Sequence, residues 1–212
     1  MPRTKMERLL VDPEKFFEKV VKEDVKEAWA YMAYWALLPS IVAAIAIGFL
    51  SVPLGGYVAM PTWLGDMLLG STTLFGVALG VATGITIYVG IIIGVFVTAI
   101  VAHAVASVLK GRGKFESTLQ AIIYGASPFY AFGWLPIFGP LFGLYSVIVQ
   151  VPAFKALHRM KYVKSVMTIL GTLLLIGIIV GIVPVLGGIF ATGYHFGIVV
   201  NSIRGIVTLM MI

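Results

Sequence analysis

Apolar stretches separated by short charged loops make up most of the chain after residue 27. A transmembrane helix needs roughly 20 mostly apolar residues, and four of the five stretches are about that long. The stretches cover residues 28–50, 67–109, 118–135, 140–157 and 165–183. The pattern therefore predicts an all-α fold, a polytopic transmembrane helical bundle of about five spans.

The second stretch is too long for one crossing. Residues 67–109 carry no charge, and as one helix they would extend roughly 65 Å, against a bilayer core of roughly 30 Å. Two full crossings would put the basic loop 110–114 on the outer side. We therefore expect one span over residues 86–109, with residues 62–84 as an outer-surface helix or a re-entrant hairpin.

The N-terminal segment, residues 1–27, is polar, with seven basic and seven acidic residues. Asp12, Pro13 and Glu14 are typical of a helix start, with an N-cap acceptor, proline at the first position and an acid at the positive dipole end. Apolar residues follow at helical spacing: Phe16, Phe17, Val20, Val21, Val25, Ala28 and Trp29. This predicts an amphipathic surface helix, either on the membrane or packed against other cytoplasmic loops.

Loop charge predicts the orientation. If the N-terminus and the loops at 110–114 and 155–164 are cytoplasmic, all 15 Lys and Arg residues except Arg204 lie inside, as the positive-inside rule favours. We expect a cytoplasmic segment at 1–27, a five-span membrane domain at 28–185 and an apolar C-terminal segment at 186–212. That last segment is an outer interfacial helix, which we favour, or a sixth span.

Composition agrees with membrane residence. Hydrophobic residues make up 60% of the chain and charged residues 11%, and the mean hydropathy is +1.04, values that exclude an ordinary soluble domain. We therefore expect the lipid bilayer to be the main binding partner of the chain. The basic residues lie in short loops, so the net charge of +6 does not indicate nucleic acid. Scarce Asn and Gln hint at a thermophilic source.

Small residues recur every four positions in several runs. They are Gly76, Gly80 and Gly84; then Gly90, Gly94, Thr98, Ala102 and Ala106; and the pairs Gly139/Gly143 and Gly177/Gly181. This spacing lets helices approach closely. We expect packing within the monomer; the alternative is a face that binds a second copy or another membrane protein.

Catalytic and phosphate-binding motifs are missing. The chain has no cysteine, no His-Glu-x-x-His, no P-loop and no pair of carboxylates inside a span. We therefore expect no enzyme, no cofactor and no metal site. A Ser127/His103 hydrolase dyad is a hypothesis that we discard, because the isolated Gly-x-Ser is a weak signal.

Polar groups inside the spans are the candidate functional residues, because such groups are costly at membrane depth. They are His103, Tyr124, Ser127, Pro128 and Gln150. We expect His103 to bond Tyr124 or Gln120, and Ser127 and Tyr124 to satisfy carbonyls that Pro128 leaves free. The cytoplasmic basic loops add Lys110, Arg112, Lys114, Lys155, His158, Arg159, Lys161 and Lys164.

Four segments in order carry a resemblance to a known family. They are Asp12-Pro13-x-x-Phe16-Phe17; His103 followed by Leu109-Lys110-Gly111-x-Gly113; Tyr124-Gly125-x-Ser127-Pro128; and Leu157-His158. Over roughly residues 8–183 the chain resembles the Yip domain family, the Ypt/Rab-interacting membrane proteins and their prokaryotic relatives.

The resemblance implies five spans, a cytoplasmic N-terminus and an outward C-terminus. In eukaryotic members it implies binding of prenylated small GTPases. The N-terminal region here is short and lacks an Asp-Leu-Tyr-Gly-Pro segment, so the chain is more similar to the short prokaryotic members and a GTPase partner does not follow.

Two functions remain open from the sequence. The first is a non-enzymatic scaffold or adaptor that organises the membrane or binds a protein partner. The alternative is a small transporter or channel for an ion or small solute, suggested by the proline in the third span and by buried His103 and Gln150. Either would be a multi-pass protein, in the cell membrane if the source is prokaryotic.

Overall fold

The computed structural model describes residues 2–54 and 72–182, and all of their regular secondary structure is helical. The helices are α1 (Pro2–Val11), α2 (Pro13–Val20), α3 (Val25–Leu54), α4 (Thr72–Val108), α5 (Phe115–Phe132), α6 (Gly139–Leu157) and α7 (Tyr162–Ile182). The predicted all-α fold is confirmed.

The chain forms two compact units that divide after Gly171. The first contains α1 to α6 and the beginning of α7. Within it α3 packs along α4, α5 packs against α3, α4 and α6, and α2 packs on α6. The described part of the second unit is the rest of α7, up to Ile182. The C-terminal segment at 186–212 lies outside the described residues.

Four described helices are long and apolar enough to cross a membrane. They contain the segments Val25–Phe49, Gly76–Val108, Gly139–Leu157 and Tyr162–Ile182. These correspond to the first, second, fourth and fifth predicted spans. The third prediction corresponds to α5, which carries Glu116 and Gln120 in its first half and is mostly buried by its neighbours.

The expected start of the second span was wrong. Helix α4 runs without a break from Thr72 to Val108, so residues 72–84 are continuous with the span; residues 62–71 lie outside the described residues. The apolar segment Gly76–Val108 has 33 residues, about 50 Å of helix. It is longer than a bilayer core of roughly 30 Å, so the helix tilts or extends beyond the core at its ends.

Small residues allow this long helix to lie close to α3. A Cβ atom on Gly80 would lie 3.0 Å from the Gly48 Cα, and one on Gly84 would lie 3.0 Å from the Ser40 carbonyl oxygen. At Gly90 and Gly94 a Cβ would meet nothing within 4 Å. The first pair therefore packs inside the monomer, as predicted, and the second pair does not.

The N-terminal segment forms two helices and a turn. The Asp12 side chain accepts a hydrogen bond of 3.2 Å from the Lys15 backbone N–H and caps α2, with Pro13 at its first turn, as predicted. The apolar stripe is divided, because α2 ends at Val20 and α3 begins at Val25. Phe16, Phe17 and Val20 are buried, so this part of the stripe packs on protein, whereas Val21 is exposed.

Candidate functional site

Two histidines and a threonine form one polar contact inside the bundle, which we call the histidine cluster. His103 of α4 has its Nδ1 2.8 Å from the Thr118 hydroxyl at the start of α5, and that hydroxyl lies 3.0 Å from the Nε2 of His158, which follows α6. A hydroxyl donates one hydrogen bond and accepts others. The single Thr118 proton can go to only one of the two ring nitrogens, so at least one ring donates its N–H to the hydroxyl.

His158 also holds the two basic loops together. Its carbonyl accepts a 3.0 Å hydrogen bond from the Arg112 N–H. A Cβ atom on Gly113 would lie 2.7 Å from the His158 Nδ1, and one on Gly111 would lie 3.2 Å from the same atom. The ring therefore fits against this loop only because glycine occupies both positions. Lys164 adds a 3.0 Å bond from its Nζ to the Leu109 carbonyl.

The environment keeps His158 neutral. Its side chain is almost completely buried. Burial, followed by the nearby His103, lowers the pKa of His158 from 6.5 to about 4, because a buried imidazolium loses hydration. At neutral pH the two basic loops therefore contact each other through the uncharged His158, although their exposed side chains are basic.

A second group of polar residues, the tyrosine cluster, joins α1, the α2–α3 turn and α5. The Tyr124 hydroxyl donates to the Glu23 carboxylate at 2.9 Å. Lys5 Nζ lies 2.7 Å from Glu23 and 2.9 Å from Glu27, and the Gln120 side chain donates to the Glu23 carbonyl at 2.8 Å. Burial alone would lower the pKa of Lys5, but the bonds to both glutamates outweigh it and raise the pKa above 10.5.

Aromatic rings surround this cluster on its apolar side. The Phe16 ring meets Tyr124 edge-on with centroids 5.3 Å apart, and Tyr31 lies 5.0 Å from Tyr124. The Tyr31 hydroxyl donates to Ser127 at 3.4 Å. The Asp-Pro-x-x-Phe-Phe and Tyr-Gly-x-Ser-Pro segments therefore contact each other.

The predicted repair of α5 at Pro128 is confirmed at Ser127. Proline has no N–H to donate to the carbonyl four residues earlier, which is that of Tyr124. Ser127 Oγ donates to this carbonyl at 2.6 Å. The next N–H, on Phe129, donates at 3.0 Å to Ser146 Oγ of α6, so the break in α5 also ties it to its neighbour.

The four motif segments thus meet in two places, the histidine cluster and the tyrosine cluster. Residues 8–184 match the family model of the Yip1 domain. The chain belongs to the Yip1 domain family. No curated protein and no solved structure matches it. This Yip1 domain protein is a multi-pass integral membrane protein, because the match accompanies four apolar helices of spanning length among the described residues.

The predicted intramembrane residues of this Yip1 domain protein do not share one site. His103 belongs to the histidine cluster and Tyr124 to the tyrosine cluster. Gln150 instead lines a separate cavity among α4, α5 and α6. The expected bond from His103 to Tyr124 or Gln120 was wrong. The His103 ring lies beside the first turn of α5, where the Thr118 hydroxyl is 2.8 Å from Nδ1.

Sequence reasoning missed three partners of these residues. Thr118, Glu23 and Lys5 each complete a cluster, yet none was a candidate. The sequence does not distinguish them, because isolated hydroxyl residues and charged residues in a polar N-terminal segment are common. Helix α1 was also missed, although Met6, Leu9 and Leu10 follow helical spacing; Met6 and Leu9 are buried.

A groove runs between α1 and α2. Its volume is about 410 Å³. Basic, acidic and apolar side chains line it: Lys5, Glu7, Arg8, Val11, Asp12, Lys15, Phe16, Lys19, Val20 and Glu23. Val11 is 84% exposed.

Proposed function

We propose that this Yip1 domain protein is a non-enzymatic membrane adaptor that binds a segment of a partner protein in the groove between α1 and α2. The observation that carries the proposal is the groove itself, with its exposed Val11 and its charged lining residues. A surface that combines apolar area with charged groups is the usual composition of a protein-binding site.

Charge favours a partner segment with acidic groups beside apolar ones. Among the described residues, the ion pairs of the groove join Lys5 to Glu23 and Lys15 to Asp12. Arg8 and Lys19 have no ion pair within residues 2–54 and 72–182. Their guanidinium and ammonium groups are therefore available to carboxylates of a partner.

Side-chain bonds fix both helices of the groove to the bundle, and a preorganised site binds its partner at a lower entropic cost. Lys5 bonds Glu23 and Glu27, and the Tyr145 hydroxyl of α6 donates at 2.9 Å to the Leu10 carbonyl. Lys155 of α6 reaches Glu14 of α2 at 3.1 Å. Both walls are therefore tied to the bundle before any partner arrives.

We infer a cytoplasmic location for this groove. The groove and both basic loops lie at one end of the bundle. The Lys155–Glu14 pair joins the groove to the end of α6, and the Arg112–His158 bond joins the two basic loops. That end carries every Lys and Arg residue except Arg204, and positive residues favour the cytoplasmic side.

The transporter alternative has less support. It needs a polar path across the bundle, whereas the histidine cluster, the tyrosine cluster and the polar residues around Gln150 lie in three separate places. His103 bonds Thr118, Tyr124 bonds Glu23, and Ser127 bonds the Tyr124 carbonyl. We therefore favour the adaptor.

Photo-crosslinking from the groove tests the adaptor. The chain has no cysteine, so Val11→Cys can be labelled uniquely with benzophenone-maleimide. The purified protein in nanodiscs is mixed with a membrane and cytosol extract of its source cells and irradiated. We expect a discrete protein adduct, identified by mass spectrometry.

Two controls decide whether the adduct reports the groove. Val163→Cys carries the same label at an exposed position at the start of α7, outside the groove, and should not form the adduct. Charge reversal at Arg8→Glu and Lys19→Glu should abolish it in Val11→Cys. An equal adduct from Val163, or none from Val11, contradicts the proposal.

A further inference from the structure

A second cavity lies on the side of the helical bundle, away from the charged end. It has a volume of about 410 Å³ and is formed by α4, α5 and α6. Gln150 is seven residues from the end of α6, so it lies about 10 Å along that helix from the charged end. The cavity is therefore within the membrane-spanning part of the protein.

The cavity opens sideways toward lipid. Gly94 forms part of its wall and is exposed, and a Cβ there would meet nothing within 4 Å. On the opposite wall, a Cβ on Gly143 would touch only the Phe129 ring, at 3.6 Å. Ile93 and Leu144, next to these glycines in sequence, are exposed apolar side chains of the kind that face acyl chains.

Polar groups line this otherwise apolar space. Gln150, Tyr130 and Thr98 contribute a carboxamide and two hydroxyls to the wall. None of the three side chains has a hydrogen-bond partner within the parts of the chain that the structure describes. Ser146 accepts from the Phe129 N–H, and its own proton remains to be donated. In lipid, an unsatisfied polar group is costly, so a ligand that supplies a partner gains affinity.

The wall also limits the chemistry of the ligand. Its lining residues include no Asp, Glu, Lys, Arg or His, so a charged group would be buried without a counter-charge, which is strongly unfavourable. The volume falls in the range of small-molecule sites, roughly 300–1,000 Å³.

We propose that this cavity binds an uncharged lipid that carries hydroxyl or ester groups and enters from the bilayer. Its polar groups bond Gln150, Tyr130 and Thr98, and one acyl segment leaves past Gly94. The site is independent of the α1–α2 groove, so the two proposals can fail separately.

Photoaffinity labelling tests the site. A monoacylglycerol with a diazirine in its acyl chain is added to the intact protein in nanodiscs, with unlabelled monoacylglycerol as competitor. We expect competable labelling of cavity residues. Gln150→Leu should weaken binding roughly 2- to 10-fold, the effect of one hydrogen bond.

Two glycines on one helix provide a matched pair. Gly94→Leu places a side chain in the mouth of the cavity and should reduce labelling at least about fivefold. Gly90→Leu, one turn away and outside the lining, should leave labelling unchanged. Both positions have open space around them, so neither variant should lower the melting temperature.

Several results would overturn the site. One is equal labelling of Gly94→Leu and wild type. Another is competition by an anionic lysophosphatidic acid as strong as that by monoacylglycerol. A third is a disulfide-linked dimer from Gly94→Cys under mild oxidation in nanodiscs, because this would assign the face to a second copy of the chain.

Discussion

The Thr118 hydroxyl lies 3.0 Å from His158 Nε2 and links the first turn of α5 to the loop after α6. The same hydroxyl reaches His103 of α4 at 2.8 Å. One small side chain therefore connects three helices, and the carbonyl of His158 carries the connection to the Arg112 loop.

Replacing this hydroxyl should destabilise the bundle. Thr118→Val keeps the shape but leaves the buried His158 Nε2 and the partly buried His103 Nδ1 without this partner, which should cost about 1–3 kcal/mol. Thr118→Ser should restore most of the loss. The measurement is the melting temperature in detergent micelles. As a control, Thr86→Val removes only an exposed bond to the carbonyl of Ala82 and should have little effect; equal losses at both positions would argue against the cluster.

Acid should destabilise the protein through His158. Above pH 6.5 the ring is neutral in folded and unfolded chains. As the pH falls from 6.5 to about 4, only the unfolded chain takes up this proton, so stability is lost, on the order of 2–3 kcal/mol. Unfolding followed between pH 7 and pH 4.5 measures this loss. His158→Gln should be less stable at pH 7 and depend less on pH; an unchanged slope would contradict the assignment.

Removing the Tyr124 hydroxyl should lower the free energy of unfolding. Tyr124→Phe keeps the ring contacts with Phe16 and Tyr31 but deletes the bond to Glu23. We expect a loss of about 1–2 kcal/mol, measured by thermal unfolding. Tyr162→Phe is the matched control, because that tyrosine is exposed. A loss of equal size in the control would show that the Glu23 bond is not responsible.

The break in α5 can be tested with two substitutions. Ser127→Ala removes the donor to the Tyr124 carbonyl and should cost about 1–2 kcal/mol. In a Pro128→Ala background the backbone N–H returns and can bond that carbonyl, so the same change should cost about 1 kcal/mol less. Four melting curves complete the double-mutant cycle; purely additive effects would exclude this repair.

Glycines at two positions of α4 should respond in opposite directions. Gly80→Ala introduces a Cβ against the α3 backbone and should lower the melting temperature. Gly90→Ala meets nothing within 4 Å and should stabilise the helix by up to about 1 kcal/mol, since alanine favours helix over glycine. If both changes were neutral, the close approach of α3 and α4 would not contribute to stability.

The sequence alone determined the class of fold and most helix positions. Apolar length indicated membrane helices, and Asp12 with Pro13 predicted where α2 begins. The repair at Pro128 was also predictable, because the missing N–H and the donor Ser127 are one residue apart. These features depend on neighbouring residues, whose spacing the sequence displays directly.

Only the tertiary structure decided which polar groups meet. Thr118 and His158 are 40 residues apart, and Tyr124 and Glu23 are 101 apart, so helix packing alone brings them into contact. The continuous α4 was likewise not predictable from hydropathy, because its first turns depend on the fit of Gly80 against Gly48. Local periodicity specifies which residues face inward, whereas the partner of each inward group depends on how the helices are arranged around it.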